Sequence, residues 1–203
     1  MANLIDLIKG QLTDSVMDQI SGKLGADRQQ TDVATDNILA TLIEGLANNT
    51  QDEKSAAGLA NALEKDHDGS LLDNLHDLID GKAQQTNPRA ANGAGILKHI
   101  LGGNQSNIVD VISGLSGLGA SKTGNLMTML APVVLQMLGK QKRQQNLDTG
   151  GLANILAGTL NQTRQTQGGA SGGLLKSLLD RDGDGSIVDD VAGMVIGKLF
   201  GRK

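Results

Sequence analysis

Three aspartates alternate along the run DRDGDGSIVDD, Asp180 to Asp190, and a glycine closes the alternation. Carboxylates at every second position present oxygens to one side of a tight loop, and such a loop wraps a hard divalent cation. A helix–loop–helix cation loop takes ligands at positions 1, 3, 5, 7, 9 and 12, with glycine at 6. With Asp180 first, Asp182, Asp184, Gly185 and Ser186 fall at positions 3, 5, 6 and 7, and the aliphatic Ile187 follows. The departure is position 12, which is Val191 where the long bidentate Glu belongs; the nearest carboxylates are Asp189 and Asp190. The expected metal set is therefore Asp180, Asp182, Asp184, Ser186, Asp189 and Asp190. Its affinity should be weak to moderate, roughly 10⁻⁵–10⁻³ M, with Ca²⁺ favoured over Mg²⁺ because a flexible carboxylate-rich loop suits the larger shell. The competing reading is a turn whose Asp189 or Asp190 caps the next helix without an ion. A blurred copy, EKDHDGSLLDN, places Glu64, Asp66, Asp68, Ser70 and Asp73 in the same order around Gly69. His67 and Lys65 add positive charge inside it, so a second metal loop competes there with a fossil turn.

Little else has the spacing of chemistry. The three histidines, His67, His76 and His99, are read as solvated side chains; without cysteine they make a thin transition-metal set. No GxSxG elbow occurs, and the glycine runs GGNQSN and GGASGG follow helical or linker sequence where a nucleotide fingerprint would follow a strand. No catalytic grouping emerges, so the expectation is a non-enzymatic protein acting through structure, self-association or a protein partner. The rival is a helix-turn-helix over 108–126, with Ser121, Lys122, Thr123 and Asn125 opening the second helix toward DNA. Lys140, Lys142 and Arg143 are read as a solvated helix end beside the C-terminal dipole.

Composition bounds these readings. The chain has 203 residues, no Trp, Tyr or Cys, one Phe and 28 Gly. Its core must come from aliphatic side chains and Met, and Met127, Met129 and Met137 fall on a helical repeat suited to that use. Absence of cysteine excludes disulfides and thiolate metal sites, and fits a reducing compartment. A net charge of −4 argues against broad nucleic-acid or anionic-membrane binding. The opening MANLIDLIKGQLTD lacks the marks of a signal peptide, and no apolar run reaches the ~20 residues of a membrane span. The expected setting is cytoplasmic.

The elements that must position the acidic loops are helical. Leu4, Leu7, Ile8, Leu12, Val16, Ile20 and Leu24 step by three or four, and so do Leu126, Met129, Leu130, Val133 and Met137. The predicted fold class is all-α. Short matches recur at a nearly constant offset: DQISG at Asp18 returns as DVISG at Asp110, and GLANAL at Gly58 as GLANIL at Gly151. Two diverged repeats are expected, each closing with an acidic loop and a last helix, Leu71–Ile79 in the first and Ile187–Phe200 in the second. The corresponding divisions are 1–83, a Pro88-containing linker 84–93, and 94–203, the last with an inserted Gly/Gln-rich run, NQTRQTQGGASGG. Halves of this size are marginal alone, which favours mutual packing.

The stretch ILKHILGGNQSNIVDVISGLSGLGASKTGNLMTMLAPVVLQMLGK, Ile96 to Lys140, resembles the YidB-like family of bacterial proteins of unknown function. The marks are a leucine helix ending at Gly102-Gly103, a helix closing on ISGLSGLGA, and a Leu/Met helix interrupted by LAP at Leu130–Pro132. The first 50 residues are similar to a diverged copy without LAP. The resemblance implies a bacterial origin and an all-helical fold, and no established activity.

Overall fold

Helix starts follow from short acceptor side chains that satisfy the first free amides. In the computed structural model, which describes residues 3–166 with side chains through Thr163, Asn3 and Asp6 form a reciprocal capping box on α1 (Leu4–Gln11). α2 (Asp14–Leu24) stops at Gly25, whose φ of 57° suits a residue without Cβ. Asp27 caps α3 (Arg28–Asn49) through the amides of Gln29 and Gln30, and Asp52 caps α4 (Glu53–Lys65) through Ser55 N. A 3₁₀ turn (Ser70–Asn74) leads into α5 (Leu75–Asp80) and the single turn α6 (Ala83–Thr86). Then come α7 (Gly93–Leu101), a 3₁₀ turn (Gly102–Asn104), α8 (Gln105–Ser116), α9 (Ala120–Gln145) and α10 (Thr149–Thr166). No strand occurs among the described residues, and the all-α reading holds. No helix among them is long and apolar enough to cross a membrane.

α9 is the axis of the body, packed by α1, α2, α3, α4, α5, α7 and α8. Leu126, Met127, Leu130, Val133, Val134 and Leu138 are wholly buried along it, facing Ile38, Leu39, Leu42 and Ile43 of α3. The residues on either side of 84–93, through Thr163, thus share one core. Packing is reciprocal: α1 lies on α9 as α7 lies on α3, α2 on α9 as α8 on α3, and α2 pairs with α3 as α8 with α9. One side-chain knot ties α2 to α3: the Arg28 guanidinium meets Asp14 at 3.0 Å and Asp32 at 2.9 Å, and also pairs with Asp18.

Three details depart from the sequence reading. The helix expected to break at Pro132 runs through it as one α9. Pro132 has no N–H to give the Thr128 carbonyl. Against that carbonyl lies Gly93 at the start of α7, where a Cβ would come within 1.9 Å of the oxygen, so only a residue without a side chain fits. The helix expected over Leu71–Ile79 divides at Asn74, a 3₁₀ turn before it and α5 after. The start of the Gly/Gln-rich run, Asn161–Thr166, continues α10. The rest of that run and the loop Asp180–Asp190 with the helix Ile187–Phe200 lie outside the described residues.

Candidate functional site: the first acidic loop and the groove beside it

α4 ends at Lys65, and the chain turns through Asp66–Gly69 against α9. Gly69 adopts φ 93°, the left-handed region that glycine enters at least cost. A Cβ there would also crowd Lys140, 2.8 Å from its Cβ. Gln136, fully buried on α9, accepts from Gly69 N at 2.7 Å and donates to the Asp66 carbonyl at 3.3 Å. One turn on, Gly139 lets the His67 carbonyl approach α9 so closely that a Cβ would sit 1.6 Å from that oxygen. A side-chain amide and a bare glycine therefore clasp the loop onto the central helix.

The carboxylates are engaged by protein groups. Glu64 pairs with Lys142, whose side chain is only 11% exposed, and Arg143 donates to the Glu64 carbonyl at 3.2 Å. Lys142 holds the Glu64 carboxyl below its ordinary range. Asp68 accepts from Ser70 N at 2.9 Å and Ser70 Oγ at 2.6 Å, with Arg143 3.7 Å away. Those bonds, with Ser70 first, lower its carboxyl. Asp73 is exposed on the 3₁₀ turn. Glu64, Asp66, Asp68, Ser70 and Asp73 are thus close in sequence without converging: among the described residues no group of three or more His, Asp or Glu is placed to hold a metal ion. This arrangement does not fit a cation. Its charge is answered by Lys142 and Arg143, which the sequence had suggested were a solvated helix end. The signal was available in part, since an acidic loop needs neutralising, but the cations lie 78 and 75 residues away and only the fold brings them together.

His67 is also placed differently from its sequence reading. It is buried, 4% exposed, with Nδ1 3.5 Å from Gln136 Nε2. Burial pushes its pKa below the ordinary value, against the opposing pull of Asp66 and Asp68. His76 and His99 remain exposed; His76 Nδ1 contacts Gln19 Oε1.

Beside the loop opens a groove of about 610 Å³ between α4, the end of α3, and α7, closed by α9. It exists because α4 buries little of itself, chiefly Ala56 and Leu63. Leu46, Leu59, Ile96, Ile100 and Leu135 make its apolar surface. Asp66, His67, Arg89, Asn92 and His99 supply its polar groups. This combination of an apolar surface with a few convergent polar groups is the usual make-up of a ligand site, and the volume lies within the ordinary span of such sites.

The helix, Gly-rich turn and helix expected over 108–126 occur as α8, residues 117–119 and the start of α9, but the second helix is built into the core. The proposed reading helix is the start of α9, the axis of the core. Thr123 is wholly buried with Oγ1 on the Gly119 carbonyl, and Lys122 is tied to the Gly25 carbonyl at 2.5 Å. Only Ser121 and Asn125 face outward.

The described residues form an all-helical body with a side groove and no group of His, Asp and Glu placed to hold a metal ion. The chain belongs to the bacterial family of unknown function DUF937, whose family pattern matches residues 6–141. That span covers all but the last four residues of α9 and every residue that lines the groove. No curated protein matches the chain. No solved structure matches it.

Proposed function

We propose that the protein is a non-enzymatic binding module and that the groove under α4 is its binding site. The supporting observation is the groove itself, a cavity with an aliphatic surface and polar side chains at its edge, Arg89 among them. Gly58 lines it on α4, and a Cβ there would meet nothing within 4 Å. Gly58→Leu therefore adds bulk at the groove from a position with room for its Cβ, and exchanges a poor helix former for a good one, a gain of roughly 0.5–1 kcal/mol. The expected outcome is a chain that melts no lower than the parent and loses most of its enhancement of a neutral apolar dye such as Nile red. Equal dye fluorescence in the two proteins would end the proposal.

The second reading is a structural Ca²⁺ at Asp180, Asp182, Asp184, Ser186, Asp189 and Asp190, favoured by the ligand spacing in the sequence. The ion would neutralise the aspartates and steady the chain that follows, in support of a protein partner or of self-association. Calorimetric titration of chelator-stripped protein should show Ca²⁺ binding at millimolar ion or below, lost in Asp182→Ala and Asp184→Ala. Binding that survives both substitutions contradicts it.

A further inference from the structure

We infer that the groove's ligand is a small amphipathic carboxylate, an aliphatic chain lying on Leu46, Leu59, Ile96, Ile100 and Leu135 with its carboxylate on Arg89. The inference rests on the reading of the groove as a binding site and names what enters it.

Three observations lead there. The first is the state of the arginines. Arg28 grips three aspartates and Arg143 meets Asp68 and the Glu64 carbonyl, but Arg89, which lines the groove, has no carboxylate within 4.0 Å among the described residues. A guanidinium presents a planar fork of donors that suits a carboxylate bidentately. The second is Asn92. Its Oδ1 already accepts from Gly95 N at 3.0 Å as the cap of α7, so its amide N–H₂ is left as a donor at the same rim. The third is the apolar surface. It is built of branched aliphatic side chains, and among the described residues that line it the only rings are the imidazoles of His67 and His99. Such a surface gives an alkyl chain its transfer free energy and gives a nucleobase no stacking platform. One cation also fits a single carboxylate better than a polyphosphate. Asp66 lines the same groove and opposes the ligand's charge, which supplies a control.

The test uses the full chain with ¹³C-labelled methyl groups and three probes of equal length: octanoate, 1-octanol and octylamine. Octanoate should shift the methyl resonances of Leu59, Ile96 and Ile100 saturably, and bind at least about tenfold more tightly than octanol, the worth of one good charge-assisted contact. Arg89→Met should erase that preference while octanol binding persists, and Asp66→Asn should strengthen octanoate alone. Equal affinities for octanoate and octanol, a preference for octylamine, or a preference for octanoate that survives Arg89→Met would overturn the carboxylate assignment and leave the groove reading standing. Groove methyls unmoved by all three probes would overturn both.

Discussion

His67 shows how one residue acquires two duties. Its carbonyl rests against the bare Cα of Gly139, and its ring is enclosed between Gln136 and the groove. Because burial lowers the folded-state pKa, the unfolded chain binds a proton more readily than the folded one as pH falls below the ordinary value of 6.5. Stability from a neutral His67 is therefore complete above that pH and is lost as pH falls through the folded pKa. Asp66 and Asp68, which face the ring from the loop, pull the other way and soften the effect. Urea unfolding at pH 7.5 and pH 5.5 should show a lower midpoint at the acid value, with a smaller drop in His67→Gln; identical drops would remove His67 from the cause. Sequence reading treated this histidine as solvated because the partners that bury it, Gln136 and Gly139, lie some seventy residues away. For the same reason Lys142 was legible as a cation and its pairing with Glu64 was not.

At the scale of elements, α9 and α7 depend on a mutual concession. Pro132 withholds a hydrogen bond from the Thr128 carbonyl, and Gly93 brings α7 onto that oxygen. Gly93→Ala should force the two helices apart at a cost of about 1–3 kcal/mol, read as a lower melting temperature. Since Ile96 and Ile100 ride on α7, the methyl resonances of the groove should move as well. An unchanged melt would mean that α7 can shift without cost. The helices themselves were readable from apolar steps of three and four, and Leu126, Leu130, Val133 and Met137 do enter the core. Pro132 was read as an interruption because the local rule is sound; what overrides it is packing around α9 from many sides, which keeps the helix continuous where its own hydrogen bonding lapses. The loop at 64–74 was legible as a glycine turn; that its carboxylates are answered by Lys142 and Arg143 of α9 was not, because those cations lie far along the chain.

At the scale of the whole molecule, the order and lengths of α1–α4, at 8, 11, 22 and 13 residues, are echoed by α7–α10, at 9, 12, 26 and 18. With the reciprocal packing of α3 and α9, this is the pattern that a unit packed on its own copy would give. The short passage through α6 and residues 87–92 joins the two parts. Deleting Gln84–Asn87 removes four residues, about 13 Å of reach, and should convert monomers into dimers that exchange their α7–α10 parts, as light scattering would show. A well-folded monomer after that deletion would mean the passage carries slack. The two comparable seams have met different fates. α10 is seated, with Leu152 and Leu156 wholly buried and Thr159 accepting from the amide of Leu4. α4, its counterpart in order, stands off and leaves the groove. Two identical chains in a dimer must close or open both seams together. In one polypeptide the two seams carry different sequences, so one can be packed shut while the other stays open.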